Sequence, residues 1–326
     1  MKTRADRRRR GALWWILNRV GAVLGVAWVV ATVVFFALRA AGGDPTEAIL
    51  GGPGSQTSPE AMEAARREYG LDQPVVIQYV TMLRRVITLD LGDSYSRRQP
   101  VGSLIAAHFG PTLALTMLAL AMAWVLALVG AVVAVRRGGV VARAVELSEV
   151  VASVLPHFWL GAVLITVFAS QLGWVPATST TNHPLHLVLP GLTLAIPLAG
   201  FLAQVMHDRL AQAHTSPFAT TARTRGLSEV GVLVRHSLRH GVAPALALSG
   251  WAFGSLLSGA VIVETLFARP GLGRLLVEAT QARDVPVVIG VVVVVAGAYV
   301  VIMTVTDVVE RLVDPRTHSP ALGVDA

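Results

Sequence analysis

The chain alternates six stretches free of Asp, Glu, Lys and Arg with polar, charge-bearing segments. The uncharged stretches are 20–38, 109–135, 150–172, 187–206, 241–263 and 287–306. The shortest has 19 residues. At ~1.5 Å per residue it reaches roughly 28 Å as a helix, close to the ~30 Å hydrocarbon core of a bilayer. The pattern predicts an all-α polytopic membrane protein with six transmembrane helices. Its parts would be a basic N-terminus (1–19), a first span (20–38), an extracytoplasmic helical insertion (39–108), a core of five spans (109–306) and a tail (307–326). No internal repeat is visible, and the valine run at 291–295 is filler for a buried or lipid-facing helix.

The polar segments carry helix signals of their own. In the insertion, Ser58 as cap, Pro59 at the first position and Gly70 past the end predict a helix over 59–69. Val75, Tyr79, Met82, Leu83 and Val86 then recur at three-to-four spacing. That predicts a second helix with an apolar face for the membrane surface or for neighbouring helices. It would serve either as a docking platform for an external partner or as a cover over the span ends. The loop 207–240, longer than a crossing requires, reads the same way. Ser216, Pro217 and Gly226 delimit a short helix over 217–225, and Ser228 caps another over 229–240. Such a pair is either an amphipathic surface feature or a lever joined to the spans.

Composition sharpens this picture by exclusion. Only 14% of the 326 residues are charged and 54% are hydrophobic, with a mean hydropathy of +0.62, which excludes a soluble enzyme. Cysteine is absent, so disulfides, thiolate nucleophiles and cysteine-bound zinc or iron–sulfur centres are excluded. Lys2 is the single lysine, so no P-loop lysine can serve a nucleotide inside this fold. With no charged side chain in the spans, no ion-coupled relay is present either. The net charge of +7 does not point to nucleic acid, because the arginines flank apolar runs and are not interleaved with aromatics. With the N-terminus in the cytoplasm, 17 of the 27 Lys and Arg fall in cytoplasmic segments, as the positive-inside rule expects. Both termini are then cytoplasmic. Arg7–Arg10 raise a cleavable signal or a twin-arginine address as alternatives, but the first apolar run is longer than a signal core and reads as an anchor.

A few residues at membrane depth or beside it are candidates for chemistry. His157, after Pro156, either lines a pathway or makes an interhelical hydrogen bond. Ser153 and His157 stand one turn apart, but no acid orients them as an enzyme would need. His236 and His240 lack a third ligand, and His183 and His186 rank no higher. Pro156, Pro190, Pro197 and Pro244 interrupt or begin spans, as hinges or as ordinary membrane-helix prolines. Glu264 ends the fifth span near Arg269, Arg274, Glu278, Arg283 and Asp284. This mixed-charge loop either meets an external protein or pairs with itself.

A family resemblance runs from about Arg19 to Arg316. Thr220-Thr221-Ala222-Arg223-Thr224-Arg225-Gly226-Leu227-Ser228, followed by Leu233, Arg235-His236-Ser237-Leu238-Arg239 and Pro244, resembles the coupling-helix motif of ABC transporter permeases. Gly43-Asp44-Pro45, Tyr69-Gly70-Leu71-Asp72-Gln73-Pro74, Asp90-Leu91-Gly92, Gly173-Trp174-Val175-Pro176, Pro270-Gly271-Leu272-Gly273 and Asp314-Pro315-Arg316 are similar, in order, to the dipeptide/oligopeptide/nickel uptake group. Thr220 departs from the pattern, since the general motif has glutamate there and the peptide subgroup commonly arginine. The resemblance implies a plasma-membrane (inner-membrane) subunit working by alternating access on peptides, or on nickel chelates, opines or glutathione. It implies no cofactor in this chain, ATP and Mg being bound by partners. Those partners would be two ATPase subunits, a homologous second permease and an extracytoplasmic binding protein. By resemblance the ATPase-coupling residues are Phe218, Thr221, Ala222, Arg223, Arg225, Gly226 and Leu227. His157, Pro197 and Glu264 are candidates for the pathway or a gate.

Overall fold

The computed structural model describes residues 4–40, 42, 46, 49–50, 58–180 and 185–313, with side chains described from Arg19 to Val309. The Gly43-Asp44-Pro45 and Asp314-Pro315-Arg316 motifs and His183 lie outside these. Among the described residues every regular element is a helix, apart from one isolated bridge between Asp93 and Pro100. Among the described residues five helices are long and apolar enough to cross a membrane, six spans if one bent pair counts as one. The contacts divide the chain into two units, 1–111 with 270–301 and 112–269 with 302–326.

In the first unit, α1 (Arg4–Ala40) carries the first apolar run, and α2 (Pro59–Glu68) starts as expected, with Ser58 Oγ accepting from the Ala61 amide at 3.2 Å. α3 (Val75–Thr88) turns Tyr79, Met82 and Val86 onto Ala31, Phe35 and Ile289. The Tyr79 hydroxyl accepts from Trp28 Nε1 at 3.2 Å and lies 2.8 Å from Thr32 Oγ1, so α3 grips α1 directly. α4 (Val101–Arg137) begins in this unit, as does α12 (Val285–Val313), and α11 (Leu272–Gln281) packs between them through Leu272 and Leu275. Asp284 is fully buried and caps α12. One of its oxygens takes Ser94 Oγ at 2.5 Å, Ser96 Oγ at 2.8 Å and the Ser96 amide at 3.0 Å, which ties the end of the insertion down.

The second unit is built by close backbone approach. α5 (Gly139–Ser153) enters the third apolar run only with its last four residues, and α6 (His157–Leu164, extended by a π turn to Gln171) fills most of the rest. The sequence reads 150–172 as one span, and at its start α5 and the α6 segment meet at 109°. Pro156 supplies the reason, because it has no amide to continue the ladder and pushes Leu155 out of the helical region. α7 (Val188–His214) runs unbroken through Pro190 and Pro197. Gly200 lets α5 touch its backbone: a β-carbon there would stand 2.4 Å from the Glu149 carbonyl and 2.7 Å from the Ser153 amide. Gly241 does the same for α10 (Leu238–Leu266), which packs on Leu210 and Met206 of α7. In lipid, where apolar burial between helices is not rewarded, such small-residue contacts drive association.

Two measurements check this packing. Gly200→Ala must displace backbone and should cost about 1–3 kcal/mol, lowering thermal stability in detergent. Gly21→Ala, with nothing within 4 Å, should leave it nearly unchanged. Burial pushes the Tyr95 phenol up to about 12, Arg85 partly opposing, so an ultraviolet titration should show one tyrosine ionising well after the ordinary value of ~10. Because the folded-state value is raised, the stability that this phenol contributes is complete below about pH 10 and lost as pH rises toward 12. Tyr95→Phe should remove the late phase.

Candidate functional site

Between α7 and α10 the chain makes a small elbow. α8 (Pro217–Thr224) is followed by α9 (Glu229–Val232) and a π turn, Leu233–Ser237, that passes directly into α10. The expected separate helix over 229–240 is thus the start of one continuous 38-residue helical segment, Glu229–Leu266. Ser228 caps it, accepting from the Gly231 amide at 3.2 Å. Ser216 holds the cap position of α8 but does not cap it. Its hydroxyl donates backward to the Ala213 carbonyl at 2.6 Å and bonds the elbow to the end of α7 instead.

α8 is closed by a Schellman pair: the Gly226 amide reaches the Arg223 carbonyl at 2.9 Å and the Leu227 amide the Ala222 carbonyl at 3.2 Å. This closure puts Gly226 at φ +85°, where glycine is favoured. Leu227 then folds back on Ala219, Ala222 and Val232, a small apolar knot under the elbow.

Arg223 ties the elbow on both sides. Its Nε donates to Glu229 Oε1 at 2.7 Å, and one terminal nitrogen donates to Glu229 Oε2 at 3.1 Å and to the His214 carbonyl at 3.0 Å. That nitrogen also lies 3.0 Å from His214 Nε2. The same His214 nitrogen stands 3.1 Å from Glu229 Oε2, and its Nδ1 faces Ser237 Oγ at 3.4 Å. The hydrogen bond to Glu229 raises the Arg223 pKa further. One side chain therefore links the end of α7, α8 and the start of α9.

The seven coupling candidates separate into two groups. Ala222, Arg223 and Leu227 make the inside of the elbow and Gly226 the exposed turn that closes it, whereas Phe218, Thr221 and Arg225 are exposed on α8 and its end. The Phe218 ring stacks at 5.1 Å on His240, the base of α10. Among the described residues no group of three His, Asp or Glu could hold a metal.

The pathway candidates do not converge on one opening. His157 starts α6 half-buried beside Gly259 of α10, which has no β-carbon to displace it, and makes no hydrogen bond among the described residues. The interhelical hydrogen bond open to it from sequence is not made among the described residues. Pro197 is buried within α7. Glu264 is fully buried and accepts from Thr112 Oγ1 at 2.6 Å. Burial lowers the pKa of nearby Arg269, with Glu264 opposing. In the first unit, Glu278 takes Arg97 at 2.6 Å and Arg274 at 2.7 Å, so the mixed-charge loop spends much of its charge on the chain itself.

Sequence reasoning missed Glu149. It is 6% exposed, both carboxylate oxygens lack a hydrogen bond partner among the described residues, and one faces Gly130 of α4. Its position one residue before the third apolar run was the available signal.

Five helices among the described residues are long and apolar enough to cross a membrane, which defines a multi-pass membrane protein. Residues 126–319 match the family described as the binding-protein-dependent transport system inner membrane component, and residues 12–116 match its N-terminal part. A Brucella suis protein, provisionally named a peptide transport system permease, is 35% identical over 311 residues, covering 93% of this chain and 98% of its own. The glutathione transport system permease of an Escherichia coli O6:H1 strain is 32% identical over 302 residues, covering 92% and 97%. A solved amino acid ABC transporter with histidines aligns at a TM-score of 0.48 and 17% identity, covering 66% of this chain and 94% of that one. The chain belongs to the family of binding-protein-dependent transport system inner membrane components. It is a permease subunit of an ABC importer in the inner membrane, not an enzyme, and the family implies ATPase and substrate-binding partners.

Substitutions at Gly226 probe the elbow. Gly226→Ala meets open space and should cost only the ~1–2 kcal/mol of a left-handed residue. Gly226→Pro loses the amide and cannot adopt the angle. It should abolish transport-coupled ATPase activity in proteoliposomes while membrane insertion, followed by fractionation, persists.

Proposed function

We propose that this chain is one of two homologous permease subunits in an ATP-driven importer of di- or oligopeptides, and that α8 receives the stroke of the ATPase. The observation that carries the reading is the tie made by Arg223, which joins α8 to both α7 and α10 so that a push on one short helix must move two long ones. Phe218, Thr221 and Arg225, on the outside of the elbow, contact the ATPase. The elbow and both termini then face the cytoplasm and the 39–108 insertion faces outward, toward the binding protein, which agrees with the distribution of arginines. Relatives named for peptide and for glutathione transport support a peptide-like cargo. His157 and Glu264 flank the moving helices of the gate, and Pro197 sits within α7, the helix the elbow pulls.

The cysteine-free chain makes the test direct. Single cysteines at Phe218, Thr221 and Arg225 should cross-link to the ATPase in the assembled complex, with yields that change on adding ATP, while Leu172→Cys should not. In the same vesicles, dipeptide uptake should require ATP and the binding protein. Equal cross-linking from Leu172→Cys, or none from the three elbow positions in an intact complex, would count against the reading.

A further inference from the structure

In the first unit, α1, α2, α3 and the start of α12 enclose a cleft of about 910 Å³, within the size range of small-ligand sites. Its floor is apolar, including Phe35, Ile77, Met82, Val86, Leu91 and Ile289. Its rim carries Arg39, Arg66, Arg67, Arg85 and Arg283 against two carboxylates, Glu68 and Asp72. Arg39 donates to Gln78 and lies 4.8 Å over the Phe35 ring, and Arg283 donates to the Gly42 carbonyl. Arg85 lies across Gly92, where a β-carbon would come within 2.9 Å of its guanidinium. Among the described residues Arg39, Arg67, Arg85 and Arg283 form no salt bridge. Several cations therefore share one concave surface without a neutralising partner.

The position of the cleft selects the ligand. Phe35, Leu38 and Arg39 belong to the last turns of the apolar segment Arg19–Ala40, and Val285, Pro286 and Ile289 to the first turns of Val285–Val309. Two membrane-length helices thus end at the same rim, at the height of lipid headgroups. α3 supplies the second indication. Its outer side exposes Val76 (71%), Val80 (57%) and Ile87 (72%) beside Arg84, the pattern of a helix lying in the interface. We propose that this cleft binds an anionic phospholipid, its phosphate on the arginines and the upper part of its acyl chains along the apolar floor. A soluble phosphate would use only the rim. This site needs membrane insertion alone and does not depend on how the ATPase couples.

Native mass spectrometry of the assembled complex, relipidated with phosphatidylglycerol or phosphatidylcholine of identical chains, tests the proposal. Each basic residue near an anionic headgroup contributes enough that Arg85→Gln with Arg283→Gln should reduce phosphatidylglycerol retention roughly thirtyfold. Phosphatidylcholine retention should not change, and Arg85→Lys with Arg283→Lys should keep most of the preference. Equal retention of the two lipids by the parent complex overturns the proposal, even where the glutamine variant fails to assemble. So does displacement of phosphatidylglycerol by glycerol 3-phosphate, which would identify a free-phosphate site, or by a dipeptide, which would identify a cargo site.

Discussion

Lipid offers no hydrogen bonds, so every amide and carbonyl of a spanning segment must find its partner inside the protein. Where helices stop, the last carbonyls need partners too, in the spans and in the short helices α2, α3, α8 and α11 between them. Five helices end in one closure, with the amides of the two residues past the cap turned back on the last carbonyls. The residues carrying the left-handed angle are Gly70, Leu89, Gly226, Ala268 and Arg283. The closure consumes orphan carbonyls within one turn and redirects the chain sharply, which is why short helices can sit so tightly against span ends.

At the elbow this economy becomes mechanical. An exposed ion pair such as Arg223 with Glu229 adds little to stability, because water screens it. Its value is geometric: the same guanidinium also holds the His214 carbonyl, so three helical segments share one anchor. Above the anchor, α7 meets α5 and α10 at glycines, where backbones touch and side chains cannot give way. On the proposed reading, a displacement of α8 would be passed on through stiff contacts and not absorbed in rotamers.

Much of the fold was legible because the strongest signals were local. Uncharged runs marked the long helices, Ser58 and Ser228 marked starts, and Gly70 and Gly226 marked stops. The stops at Leu89, Ala268 and Arg283 were not legible, since these side chains only tolerate the left-handed angle and do not announce it. The bend at Pro156 was masked by the unbroken apolar character of 150–172, because hydropathy reports immersion and not direction. The elbow residues were visible as a motif, but their division into an internal clasp and an exposed face depended on partners nine residues away or nearer the base of α10. Glu149 stayed hidden because burial without a partner is a tertiary property.

The central claim is that Arg223 and Glu229 clasp the elbow so that ATP hydrolysis and transport stay linked. The most direct measurement is the number of cargo molecules moved per ATP in proteoliposomes for Arg223→Glu, Glu229→Arg and the two together. The account predicts that each single reversal leaves ATPase activity running with little transport, and that the double reversal restores a large part of the ratio. Full coupling in both single variants would contradict it.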